Sequence, residues 1–304
     1  MSNIVPLMQR EWLQHRFGWS LMAVVPIGLA LLLVAFGEVQ LDPGEAEAAG
    51  DALPAMLAAA SIGAGTVLIF LIAWLSSAIL VSGLSRRDHA DRSVEFWLSL
   101  PVGHSRFLAT PLFVHLLLVP AAALLVGLVG GTLVSMVLVG RVAGMGAWFA
   151  LPWATLVPAA LAAVGRLLLG LPLATLWLLP LIMLVVLFTA WFRRWGLIIV
   201  GVGAGLGSYL LELVFGQPLL WQAVVDLIRN AALSMAGASQ TGPTLQDPEN
   251  ALAVLGALPG WVLNDFGHAL ALLASPLLAG GLLVAAACFA LLVDWRRRGA
   301  QAAG

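Results

Sequence analysis

The chain has 304 residues, 62% hydrophobic and 10% charged, with a net charge of −1 and a mean hydropathy of +1.03. Ordinary soluble domains carry about 25% charged residues, so a soluble globule is excluded, because it would expose far too much apolar surface. Every one of the 14 basic residues is arginine, which rules out the phosphate-binding loop G-x-x-x-x-G-K-[ST], whose lysine reaches the β/γ-phosphates.

Residues 3–18 read as a helix lying at the membrane surface. Ile4, Met8 and Trp12 share a stripe, Arg10, Gln14 and Arg16 fall mostly elsewhere, and His15 intrudes into the apolar arc. A first span comes next over 19–37, read as a retained anchor because its apolar run exceeds the length of a signal-peptide core. The loop after it carries Glu38, Asp42, Glu45, Glu47 and Asp51 and no basic residue, so it is expected outside. The second span covers 55–84, and a compact charged block covers 85–106. The third span covers 107–139, with Pro111 and Pro120 as expected kinks.

The stretch 141–170 is apolar but interrupted by Pro152, Pro158, Gly165 and Arg166; it either spans or dips into the outer leaflet. Arginine placement arbitrates, since cytoplasmic loops are enriched in basic residues near span ends. With six crossings, Arg10, Arg16, Arg86, Arg87, Arg92, Arg106, Arg193, Arg194 and Arg296 to Arg298 are inside, and only Arg141, Arg166 and Arg229 are outside. A seventh crossing halves that bias. The later spans are therefore 171–191, 196–215 and 269–293, with Trp191, Trp195 and Trp295 at interfaces. An extracytoplasmic loop over 216–268 holds a short helix around 221–236. The expected fold is an all-α integral membrane protein, with one transmembrane domain over 1–304, six transmembrane helices and both termini cytoplasmic.

Within the charged block, Val94, Trp97, Leu98 and Pro101 fall near i, i+3, i+4 and i+7, leaving Asp91, Arg92 and Glu95 around one apolar face. Such a segment either docks on a soluble partner or is a solvated loop whose Phe96 and Trp97 anchor it at the interface. Asp88, Asp91 and Ser93 are candidate helix N-caps.

The run Asp91-Arg92-Ser93-Val94-Glu95-Phe96-Trp97-Leu98-Ser99-Leu100-Pro101 resembles the D-x-S-x-x-F-W-x-S-L-P segment of permease subunits of bacterial type 2 ABC exporters. Leu176 to Pro180, Ala190 to Arg194 and Leu211-Glu212 are similar to the fourth and fifth spans of those permeases, and the order of elements matches along the chain. The resemblance implies an ABC transporter permease of the bacterial cytoplasmic membrane, coupled to ATP hydrolysis and acting in export. A second permease chain, identical or not, would pair with it. A separate ABC ATPase subunit would bind ATP and Mg and receive the coupling helix between spans two and three. Asp91, Val94, Glu95, Phe96, Trp97, Leu98 and Pro101 are the coupling residues so implied, and no nucleic acid partner is expected. The missing lysine agrees with this division of labour.

Glu212 lies inside an apolar run, where a centred charge costs about 2.5–3.5 kcal/mol; it lines a substrate path, pairs with a partner chain, or sits near the outer interface. Arg141 and Arg166 are expected to meet lipid headgroups or acidic loop residues, with snorkelling the commoner explanation. His115 reads as a packing residue rather than a proton relay, and Cys288 as a buried structural thiol. An intramembrane serine enzyme would have to use Ser208 and His268, but Ser208 lacks a G-x-S-x-G elbow. Five scattered histidines and one cysteine offer no ligand cluster at zinc spacing, so no metal, cofactor or catalytic residue is expected. A sensor or assembly factor working with the same ATPase stands as the alternative to a transporter.

Overall fold

The computed structural model describes residues 4–84, 103–239 and 250–302. These residues are helical almost throughout, with no strand among them. Among the described residues, six helical stretches are long and apolar enough to cross a membrane: Val5–Phe36, Gly50–Ser82, Ser105–Val142, Trp153–Phe192, Gly196–Phe215 and Pro276–Arg298. Lipid offers no partners for open backbone groups, so helices with internally paired backbones are the form such segments must take.

The first helix, α1, runs unbroken over Ile4–Phe36. At 1.5 Å per residue its 33 residues extend about 50 Å. The separate surface helix expected over 3–18 therefore does not appear as an element of its own: no glycine or proline near Trp19 stops the helix, and Gly18 is accommodated within it. A short helix α2 (Pro43–Ala49) leads into α3 (Leu53–Ser82).

The third crossing is built from α4 (His104–Phe113), a π turn over Val114–Leu118, and α5 (Val119–Val142). The Val119 amide donates to the Val114 carbonyl, the i→i+5 pattern of a π turn. Pro111 and Pro120 flank it, and Pro120 has no N–H for the carbonyl one turn back. The kinks read from these prolines thus resolve into a widened turn.

The spine of the molecule is α7 (Trp153–Phe192), preceded by the short α6 (Met145–Phe149). Its 40 residues extend about 60 Å, twice the hydrocarbon thickness of about 30 Å. The ambiguous stretch 141–170 is thus neither a separate span nor a dip. It contains the end of α5, then α6, then the first part of a fourth crossing that begins 18 residues before the expected start at Leu171.

Around α7 pack α8 (Gly196–Phe215), α9 (Leu219–Met235), α10 (Ala251–Ala271) and α11 (Pro276–Ala302). The short helix expected in the 216–268 loop is α9. Helix α10 is an addition: it fills the rest of that loop and runs into the expected sixth span. The crossing itself starts only at Pro276, after the bend at Leu272 to Ser275, because proline is pre-organised for the first helical position.

Helices α3 and α5 approach through glycines. A Cβ on Gly65 would lie 2.8 Å from the Gly131 Cα, one on Gly127 2.8 Å from the Thr66 Cα, and one on Gly131 2.9 Å from the Ile62 Cα. Small residues at such spacing let backbones meet closely, which is how membrane helices gain packing when burial against lipid offers no net hydrophobic drive. Gly131→Leu is expected to destabilise the protein by at least the 1–3 kcal/mol typical of overpacking, since the atoms it meets are backbone and cannot rotate away. A thermal melt in detergent measures this, and an unchanged midpoint would refute the packing account.

Two crossings hold few fully buried residues along their most apolar stretch: none in that of α1 and 6% in that of α8, against 50% for α7. Their apolar faces meet lipid or another chain.

Candidate functional site

The expected coupling residues Asp91, Val94, Glu95, Phe96, Trp97, Leu98 and Pro101 all lie outside the described residues. The platform on either side of them is described. Phe107, one turn into α4, is bracketed by two guanidinium groups: Arg296 at 4.1 Å and Arg10 at 5.1 Å from the ring centroid. Cations over an aromatic face are attracted to its quadrupole. This contact brings the start of α1, the start of the third crossing and the end of α11 to one end of the bundle. Behind it lies an apolar cluster of Val81, Leu84, Leu108, Met183, Leu187 and Leu292, in which Cys288 is a buried free thiol, as expected.

At the same end, the expectation that the histidines stay scattered does not hold. Glu11 and His15 lie one turn apart on α1, and His115 reaches them from the π turn, its Nε2 3.1 Å from Glu11 Oε2. Glu11 is 1% exposed and His115 fully enclosed. Trp19 sets its ring against both imidazoles, with centroids 5.6 Å away in each case. Beside this cluster an apolar cavity of about 450 Å³ opens between α1, α3 and α5, lined among others by Met8, Trp12, Trp19, Ile69, Val114 and Val119.

The opposite end is tied by a buried ion pair. Arg166 on α7 donates from Nε and Nη2 to Asp265 Oδ2 on α10, at 2.8 and 2.7 Å, and from Nη1 to the Ser234 carbonyl of α9 at 2.8 Å. Asp265 also accepts the Ser239 amide at 2.5 Å and the Gly237 amide at 3.2 Å. One arginine and one aspartate thereby join three helices and the turn after α9. Gly170 makes room for this, because a Cβ there would strike the Ser234 carbonyl. Arg166 stands 26 residues before Phe192, about 39 Å along the helix and so farther than a 30 Å hydrocarbon layer is thick. Of the two readings of Arg166, pairing with an acid of the 216–268 stretch holds, and snorkelling to lipid does not.

Burial pushes the Asp265 carboxyl up, but the Ser239 amide and the Arg166 guanidinium together outweigh it and hold the group below its usual value of 3.8. Between that depressed value and 3.8 the folded state binds fewer protons than the unfolded state, so stability rises with pH there. The contribution is complete above pH 3.8 and is lost as pH falls through the folded-state value. The protection of the Gly237 and Ser239 amides, taken relative to their intrinsic exchange rates, should therefore fall on acidification below pH 3.8, and Asp265→Asn should remove that acid step. A variant retaining the wild-type acid profile would contradict the assignment.

Arg141 also finds a protein partner. Its Nη1 donates to the Val34 and Gly37 carbonyls at 2.6 and 2.8 Å, capping the C-terminus of α1, where free carbonyls and the helix dipole favour a cation. Glu212 is exposed in the last turn of α8, which closes on Gly216 in the left-handed conformation. That is the place near a span end read from the sequence. The serine-enzyme dyad does not assemble: Ser208 Oγ is buried without a hydrogen-bond partner, and His268 is exposed on α10.

No protein-family model, curated protein or solved structure matches this chain.

Asp265 and Glu11 are the residues that sequence reasoning passed over. Asp265 is the sole acid of α10, as Arg166 is the sole base of α7, and those two isolated charges were a signal for each other. For Glu11 the signal was His15, one helical turn away in an arc otherwise apolar.

Proposed function

We propose that this chain is the membrane-spanning permease subunit of an ABC exporter, driven by a separate ATPase subunit. The observation that carries the reading is the segment Asp91 to Pro101, with its exporter-like D-x-S-x-x-F-W-x-S-L-P pattern and one apolar face. Six candidate spans support it, as does the complete lack of lysine, which removes the phosphate-binding loop from this chain and leaves ATP and Mg to the partner. Further support comes from α1 and α8, the two crossings with few fully buried residues, which fit the contact with a second permease chain.

The arginine bias puts the Phe107 end of the bundle in the cytoplasm of a bacterial inner membrane, with both termini and the 85–102 segment. ATP-driven closure of two ATPase subunits would carry the two coupling helices together. The long α3 and the α4–α5 crossing would transmit that motion as rigid levers and change a substrate path at the dimer interface.

Affinity purification of the complex from native membranes, with subsequent reconstitution, tests the reading. An ATPase subunit should accompany the chain, and its hydrolysis rate should respond to a transported solute. A rate indifferent to every solute in a complex that still holds the ATPase would favour the sensor or assembly-factor alternative.

A further inference from the structure

We propose that Glu11, His15 and His115 form a binding site for a divalent transition-metal ion of borderline softness, with Zn²⁺ the representative case. The proposal does not depend on the transporter reading. Its basis is convergence: one ligand atom from each of the three side chains lies within 4.8 Å of the other two, although His115 is 104 residues from Glu11. Two imidazoles and one carboxylate are a donor set that suits zinc and its first-row neighbours, and three protein ligands leave a coordination position open.

Helical spacing supplies two of the ligands. Residues i and i+4 share a face, so Glu11 and His15 point the same way from α1. The third depends on the π turn over Val114–Leu118. The extra residue in that turn rotates the side chains beyond it relative to a regular α-helix, and such turns occur frequently at functional sites.

Distances are close to those coordination needs. With metal–nitrogen and metal–oxygen bonds of about 2.0–2.2 Å, tetrahedral ligand atoms sit about 3.3–3.5 Å apart, and the Glu11–His115 pair is already at 3.1 Å. The rings of His15 and His115 meet edge to face at 5.2 Å and 79°. Closing the remaining gap takes a rotamer adjustment of His15, which is only half-buried.

His115 is fully enclosed, yet its Nδ1 has no hydrogen-bond partner. Coordination through Nε2, the nitrogen that faces Glu11, would leave Nδ1 as it is, so the case for an ion rests on the convergence of the three side chains. A bound ion would clasp α1 to the third crossing, next to the wall of the apolar cavity formed by Trp12, Trp19 and Val114.

The test uses the full-length chain in detergent, purified with a histidine-free tag and stripped with chelator. Co²⁺ is titrated by its d–d absorption and then displaced by Zn²⁺. One site per chain, with Zn²⁺ binding at micromolar concentration or tighter, is the expected result. Removing one ligand should weaken binding by at least about 100-fold, the upper end of what loss of a mere outer-shell partner does. His115→Gln removes a ligand from an enclosed position and risks misfolding, so His15→Ala, at a half-buried position, is the decisive variant. Zn²⁺ should also raise the melting midpoint of the wild type and leave that of His15→Ala unchanged. Folded wild-type protein that takes up no stoichiometric Co²⁺ or Zn²⁺, or uptake that persists undiminished in His15→Ala, overturns the proposal.

Discussion

Asp265→Ala is expected to lower stability by about 3–5 kcal/mol, the range found when one partner of a buried ion pair is removed. The enclosed Arg166 guanidinium keeps the Ser234 carbonyl at 2.8 Å but loses both contacts to the carboxylate. The Ser239 and Gly237 amides lose their acceptor in the same step, and the buried Ser239 donor so stranded costs about 1–3 kcal/mol. Replacing both charges, as Arg166→Met with Asp265→Leu, removes the unpaired cation and should recover part of the loss, because apolar replacements of buried pairs are often well tolerated. Full recovery is not expected, since the Ser234 carbonyl and the buried Ser239 amide stay unmatched. Thermal melts of the two variants beside the wild type make the comparison. An Asp265→Ala melt equal to the wild type, or a double variant worse than the single, would show that the pair does not hold α7, α9 and α10 together.

The second large effect concerns the partner. On the proposed reading, Phe96→Ala with Trp97→Ala should leave the chain folded and weaken its hold on an ATPase subunit by about 1,000-fold. Buried aromatic anchors commonly contribute 2 kcal/mol or more each at an interface, and about 4 kcal/mol is close to three decades in Kd. A solvated loop would respond differently, since two exposed aromatic residues at a membrane surface carry no partner-specific energy. The single variants Asp91→Ala and Glu95→Ala should have smaller effects, because charges at the rim of an interface are screened and hydrated.

The membrane fold was legible wherever a long apolar run ended on a strong local signal. The fifth crossing, read as 196–215, is the helix Gly196–Phe215, bounded by the Arg193–Trp195 turn on one side and a left-handed Gly216 on the other. Where local signals pointed the wrong way, a tertiary partner had overruled them. Pro152, Pro158, Gly165 and Arg166 read as interruptions, yet α7 runs straight through the last three, because the charge of Arg166 is met by Asp265, 99 residues later. Helix α10 stayed hidden for a related reason: Pro259, Gly260, Asn264 and Asp265 break up its apolar run, and its stability comes from packing on α7.

Site residues divide in the same way. The amphipathic face expected over Val94, Trp97, Leu98 and Pro101 is a local reading of sequence spacing, and it lies outside the described residues. The Glu11–His15–His115 cluster depends on a π turn that neighbouring prolines only hint at, and on a contact across 104 residues. Arg141 illustrates a third kind. Its capping of α1 at the Val34 and Gly37 carbonyls obeys a general rule about helix ends, but nothing in the sequence names which helix end it serves.

The measurement that bears most directly on the transporter reading is a side-by-side purification from native membranes of the wild-type chain and the Phe96→Ala, Trp97→Ala chain, scored for a co-purifying ATPase subunit and for ATP hydrolysis. The reading requires the ATPase and its activity with the wild type and their loss with an otherwise intact double variant. Intact wild-type chain recovered without any ATPase subunit, or equal recovery with both chains, would contradict it.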